Sequence, residues 1–354
     1  YHQQLRKFMS DVRHTQMMEF LNANLATDFR VESLSGDASF RRYHRIYLPM
    51  RGEVGGHEMT YLLMDAPPDK ESIQDFIHVA GIMSETVNVP DIMACDEAMG
   101  FLLLQDFGTV EFAHAIAKDT DNKDGYYTKA LQTLAQLQTI KGADLPKYSN
   151  EKLAQEMDLF SEWFLPYLGI GLTQKDAQKW ESLKQTLIMQ INKQPQVIVH
   201  RDYHSRNLMM DKGSDHLGVI DFQDAVIGAY TYDLVSLVRD AYIDYNEVWA
   251  QKRMHEFYQL IKPSVDLGTF ISQTNIMGIQ RHLKVLGIFI RLSERDGKHR
   301  YLKNIPKVMS DLVAELSWLS ERSHDAIYGE FMAWLKNSVL PAYSTKFGYL
   351  SERL

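Results

Sequence analysis

The chain has 354 residues, 45% of them hydrophobic, and a formal net charge of −8. That length carries two lobes with a sizeable core. The acidic balance argues against a nucleic-acid or anionic-membrane partner, either of which needs clustered positive surface. One cysteine, Cys95, excludes a disulfide framework and any Cys-based metal cluster. No stretch approaches the roughly 20 apolar residues of a membrane span, and the polar start YHQQLRKFMSDVRH lacks a signal-peptide core. The expectation is a cytoplasmic monomer with no membrane or nucleic-acid partner.

In chain order, Leu5 to Leu25 carries an apolar stripe of helical period, with Leu5, Phe8, Val12, Phe20 and Leu21 on it. From Phe29 the period changes to two. VESLS, the small-residue turn Gly36-Asp37-Ala38-Ser39 and FRRYHRIYL predict a hairpin. Thr60 to Met64 is a third strand, and Ser72 to Thr86 a helix with Ile73, Phe76, Ile77, Ala80 and Met83 on one face. A strand opens at Ile92-Met93, and the apolar run Phe101 to Leu104 breaks into Gln105-Asp106-Phe107-Gly108, which suits a hinge. From Glu111 to Asn192 the pattern is helical, including Tyr126 to Thr139 and Lys152 to Leu168. Trp249 to Leu354 is helical again, and its segment from Gln280 to Lys298 interleaves basic residues with an apolar face. That segment is either a solvated helix face or a wall of an acceptor pocket.

Chemistry concentrates in VIVHRDYHSRNLMMDKGSDHLGVID, Val197 to Asp221. His200-Arg201-Asp202, four residues and Asn207 reproduce the H-R-D-x-x-x-x-N catalytic-loop spacing of protein-kinase-like phosphotransferases. Asp221-Phe222 follows after a turn cluster and an apolar strand, which places a second acid at a hairpin end. Phosphoryl transfer needs these residue types. A carboxylate orients the attacking hydroxyl and takes its proton, while a carboxylate and an amide oxygen hold Mg²⁺ against a triphosphate. Asp202 is the candidate base, and Asn207 and Asp221 are the candidate metal ligands. Asp233 reads as a buried acid bracing the loop together with His200, or as a helix N-terminal acid. No Walker A loop, H-E-x-x-H or G-x-S-x-G occurs.

The chain resembles the aminoglycoside phosphotransferase and choline kinase superfamily. Within it, the chain is most similar to bacterial N-acetylmuramate/N-acetylglucosamine anomeric kinases. The segments that carry the resemblance are GDASFRRYHRIY, MDAPPDKES, FLLLQDFG, VIVHRDYHSRNLM, VIDFQDAVIGAYTYDLVSLVRDAY and QRHLKVLGIFIRLSERDGKHRYL. The resemblance implies an α+β, two-lobed protein-kinase-like fold. Residues 1–104 would be a small antiparallel-sheet N-lobe, 105–112 the hinge and 113–354 a larger, mainly helical C-lobe. It also implies ATP and Mg²⁺ as reactants, with transfer to the C1 hydroxyl of an amino sugar. Gly36 and Ser39 would lie over the phosphates, and Gln105, Asp106 and Phe107 beside adenine. Arg239, Asp240, Arg281, His282 and Lys284 are candidates to face the acceptor, where a muramic carboxylate would be drawn to the cations.

One departure stands out. The third strand reads TYLLMDAPPDKE and has no Lys where the family clamps phosphate. Lys70, Arg41 and Arg42 are the available cations, and Glu71, Asp75 and Glu85 the conceivable partner acids. Two other readings stay open. A cationic acceptor could use Asp240, Asp244 and Glu247, and a non-catalytic nucleotide-binding module would follow from the absent Lys.

Overall fold

The computed structural model describes residues 2–34, 41–49 and 59–350, with side chains from Val12 onward. The expected phosphate-covering residues Gly36 and Ser39 lie outside the described residues. The first part of the chain forms α1 (His2–Asn24), β1 (Arg30–Ser33), β2 (Arg42–Leu48), β3 (Met59–Asp65), α2 (Gln74–Met83), β4 (Ile92–Asp96) and β5 (Phe101–Gln105). Helices α3 (Phe112–Lys118), α4 (Lys123–Leu137), α5 (Asn150–Leu159), α6 (Leu165–Tyr167) and α7 (Gln174–Asn192) follow. The short strands β6 (Gln196–Val199), β7 (Leu208–Met210), β8 (Leu217–Val219) and β9 (Val226–Ala229) come next. The chain then continues as α8 (Tyr232–Val238), α9 (Glu247–Ile261), α10 (Leu267–Glu294), α11 (Ile305–Arg322), α12 (Ala326–Trp334) and α13 (Leu340–Phe347).

These elements form two compact units: Tyr1–Glu111 with Leu208–Asp224, and Phe112–Asn207 with Ala225–Leu354. The first unit therefore takes in β7 and β8 as well as the N-terminal sheet. Its five antiparallel strands run in the order β1-β2-β3-β5-β4. Period-two alternation sends Ile46, Leu63, Phe101 and Leu103 to one face, where Met17, Phe20 and Leu21 of α1 complete a closed apolar core. Asp65 is held at the end of β3 by Arg13 of α1, whose Nε donates at 2.8 Å, and by Arg42 at 2.7 Å.

The second unit is helical around α10. This 28-residue helix is buried along most of its length because α5, α8 and α11 all pack against it. Gly287 admits α5: a Cβ there would stand 2.3 Å from the Leu159 backbone. The two-stranded β6–β9 ladder pairs Val199 with Val226, and so fixes the start of the H-R-D loop at His200.

Candidate active site

In the second unit, the loop after β6 makes a left-handed turn at Arg201, φ 76°. A non-glycine residue there is strained and persists only where its surroundings hold it. Asp233, in the first turn of α8, supplies that hold. Its carboxylate accepts the N–H of His200 at 2.6 Å and of Arg201 at 3.0 Å. Burial pushes the Asp233 carboxyl up to about 6, against the pull of His200 and the two N–H donors. The Asp202 N–H donates to His200 Nδ1 at 3.2 Å. Asn207 Nδ2 donates to the Asp202 carbonyl at 3.0 Å, which turns the amide oxygen to the opposite side. Asp202 and Asn207 are thus tied to each other through the loop backbone.

Burial alone would raise the Asp202 carboxyl. Lys284, His204, Arg281 and His200 outweigh it and hold the group below the usual carboxylate range. Behind the loop lies a buried charge network. Arg201 pairs with Glu156 at 2.8 Å, Lys284 with Glu156 at 3.2 Å, and Lys284 Nζ donates to the Tyr232 hydroxyl at 3.1 Å. Arg281 Nη1 reaches the Arg201 carbonyl and the Tyr232 hydroxyl, each at 3.3 Å.

The five expected acceptor residues fall into separate places. Arg281 and Lys284 lie beside Asp202 but are buried and engaged by Tyr232 and Glu156. Arg239 and His282 converge on the fully buried Glu315, at 2.5 and 2.8 Å, inside the helical core. Asp240 accepts from the Ser205 N–H at 2.9 Å and the Tyr242 N–H at 2.8 Å, and so pins the H-R-D loop to the segment after α8.

In the first unit, Asp221 ends the β7–β8 hairpin in a left-handed conformation, φ 63°. Gln223 Nε2 holds its Oδ1 at 2.9 Å, and Phe222 packs on Phe76 of α2 with ring centroids 4.8 Å apart. Along β2 the alternation separates the candidate cations. Arg42 and Asp65 belong to the α1 face. Arg41 instead pairs with Glu71 at 2.6 Å, with both side chains largely buried. Tyr43 stands beside it: burial raises its hydroxyl to about 12, against the pull of Arg41 and with help from Asp221 and Glu71. Lys70 is half exposed and pairs with Asp69 at 3.3 Å.

At the other end of that row lies a cavity of about 260 Å³, lined by Arg45, Tyr47, Thr60, Asp106, Met210 and Lys212, among others. Asp106 is its anchor. Burial would raise the carboxyl, but Thr60, Arg45 at 2.8 Å and the Gly108 N–H lower it. Gln105 Oε1 accepts from the Asp91 N–H at 3.3 Å, and Phe107 is buried against β8. Gly218 makes that packing possible, because a Cβ would stand 2.3 Å from the Phe107 ring. Sequence alone leaves the choice between Arg41, Arg42 and Lys70 open. Strand parity separates the first two; the pairing with Glu71 is visible only in three dimensions.

Oxygen donors of the Asn207 and Asp221 type suit Mg²⁺, which takes few protein ligands and completes its shell with phosphate and water. Among the described residues no cluster of three or more His, Cys, Asp or Glu side chains forms a metal cage. No helix among them is long and apolar enough to cross a membrane.

Three comparisons place the chain. Residues 30–261 match the model of the phosphotransferase enzyme family. A Pseudomonas putida protein named N-acetylmuramate/N-acetylglucosamine kinase is 37% identical over 348 residues, 92% of this chain and 97% of that protein. A Neisseria meningitidis protein of the same name is 36% identical, over 80% of this chain and 85% of its own. Among solved structures, choline kinase from Cryptosporidium parvum aligns with a TM-score of 0.59 at 10% identity, covering 92% of this chain and all of that one. An ADP-bound aminoglycoside phosphotransferase aligns with a TM-score of 0.55 at 13% identity, covering 84% and 97%. The kinase-like α+β fold that the resemblance implies is therefore the fold observed, and the chain belongs to the phosphotransferase enzyme family.

Proposed function

We propose that this enzyme transfers the γ-phosphoryl group of ATP to the C1 hydroxyl of N-acetylmuramate or N-acetylglucosamine, in the cytoplasm. The observation that carries the reading is Asp202, kept ionised by surrounding cations on a loop that Asp233 braces. The names and near-complete coverage of the relatives supply the acceptor class. Asp202 orients the sugar hydroxyl and takes its proton as the oxygen–phosphorus bond forms and the bond to the β-phosphate bridging oxygen breaks. Asn207 and Asp221 are assigned as oxygen donors to Mg²⁺, which when bound offsets negative charge on the phosphates. The cavity bordered by Asp106 and Phe107 is assigned to adenine.

Arg41 is assigned as the phosphate cation in place of the absent third-strand lysine, with Glu71 as its partner. Arg41 lies four residues from Arg45 along one strand face. At about 3.3 Å per residue that is about 13 Å, the reach of an extended nucleotide from base to outer phosphates. A cation in that position would remove the rationale for a non-catalytic module. The cationic-acceptor reading also weakens, because Asp240 is taken up by two backbone N–H groups and Glu247 by Arg239 at 2.6 Å.

The test is ATP consumption with Mg²⁺ over N-acetylmuramate, N-acetylglucosamine, kanamycin and choline. Turnover on the two sugars, reduced roughly 10²–10⁴-fold in Asp202→Asn with ATP binding retained, is the expected result. Turnover confined to kanamycin or choline would overturn the acceptor and leave the chemistry standing.

A further inference from the structure

Asp202, His204 and Arg206 stand at every second position of the loop, and the last two are not among the catalytic, metal or acceptor residues assigned above. Arg206 is the less satisfied. Its guanidinium carbon lies 3.8 Å above the Tyr242 ring, and no carboxylate is within ion-pair reach of it among the described residues. The other is His204. Its ring meets the same Tyr242 edge-on, with centroids 5.3 Å apart, and its Nδ1 is buried without a hydrogen-bond partner among the described residues.

Tyr242 itself is fixed. Its N–H and that of Ser205 share the Asp240 carboxylate, and Phe289 of α10 backs its ring at 6.1 Å. The result is a half-buried aromatic plate bound to the catalytic loop, with a charged fork over one part of it and an unsatisfied imidazole nitrogen at another. An arginine fork left stacked and unpaired, four residues after Asp202 and next to Asn207, presents a binding site for a planar anion. Arg281 and Lys284 are the more buried cations, and Arg281 Nη1 and Lys284 Nζ already meet Tyr232, Glu156 and the Arg201 carbonyl.

We infer that Arg206, stacked on Tyr242, is the carboxylate-recognition residue of the acceptor site. It would take the lactyl carboxylate that distinguishes N-acetylmuramate from N-acetylglucosamine, with His204 Nδ1 meeting a polar group of the same sugar. This deepens the proposed function and rests on it. A fork over a fixed ring is preorganised, so a carboxylate gains two charge-assisted hydrogen bonds with little ordering cost. The same plate carries the ring of an uncharged sugar with no contribution from the guanidinium.

The experiment is a pair of kcat/KM values, one per sugar, for the wild type, Arg206→Gln and Arg206→Lys, with the Kd of ADP measured alongside. In Arg206→Gln the ratio of kcat/KM for N-acetylmuramate over N-acetylglucosamine falls about 10–100-fold, the worth of a charge-assisted pair. Arg206→Lys recovers part of the ratio, because it restores charge without the fork. Most of the change lies in KM, and the Kd of ADP stays within about threefold. An unchanged ratio overturns the inference, as does an equal loss on both sugars or a loss that follows ADP affinity. Wild-type protein that phosphorylates neither sugar would instead sink the functional reading itself, and that is visible before any variant is compared.

Discussion

Asp233 shows how much one side chain fixes. Its two oxygens hold consecutive N–H groups at the strained Arg201 turn, yet burial raises its carboxyl to about 6. A raised native value means that the folded protein holds the proton more tightly than the unfolded chain, where the group titrates near 3.9. This contribution to stability is complete below about pH 4 and is lost as pH rises through 6. The rise corresponds to about 3 kcal/mol. Urea unfolding of wild type and Asp233→Asn at pH 4 and pH 7 checks it: wild-type stability relative to the variant should fall by about 2 kcal/mol between those values, most of the full swing. A difference independent of pH would remove the titration from Asp233. Arg41 makes the second prediction at this scale. Arg41→Gln should weaken ADP·Mg²⁺ about 10–100-fold and leave adenosine within about threefold, whereas Arg42→Gln, on the α1 face, changes neither. Isothermal titration decides it, and equal effects on ADP and adenosine would exclude a phosphate contact.

At the scale of elements, side chains that act through their own identity are legible in the sequence. The H-R-D spacing, Asn207, Asp221 and the strand–helix pattern from α1 to β5 all follow from local sequence. Acceptor residues are not, because a buried cation and a pocket cation look alike until the partner acid is seen. Arg239 and His282 find Glu315, which lies 76 and 33 residues away. Arg206 gives no signal of its own because it occupies one of the unspecified positions of the motif, and only the approach of Tyr242 marks it out. Gly218 is the same kind of case. It reads as a weak strand residue, yet Phe107 occupies the space its Cβ would need. Gly218→Ala should cost about 1–3 kcal/mol through overpacking and raise KM for ATP by displacing Phe107, which borders the cavity assigned to adenine. Thermal melts and nucleotide kinetics test the two effects, and an unchanged Tm would mean that Phe107 relaxes freely.

The whole molecule consists of two units, each with its own apolar interior, joined where the chain passes at Glu111, Asn207 and Asp224. Calorimetric unfolding should therefore give an enthalpy larger than the van't Hoff value. ADP at a hundred times its Kd should add about 2.7 kcal/mol to whichever transition contains its site. Equal enthalpies would mean that both units unfold as one.

The first unit is not continuous in the chain. Its sheet is complete by Glu111, but the β7–β8 hairpin that packs on Phe107 arrives only after the 96 residues of Phe112–Asn207. At roughly 5–20 residues per second, the ribosome needs roughly 5–20 s to make that insert. During that interval the emerging N-terminal segment carries Phe107 without its cover, so the order of synthesis exposes this unit to chaperones and to aggregation before the other.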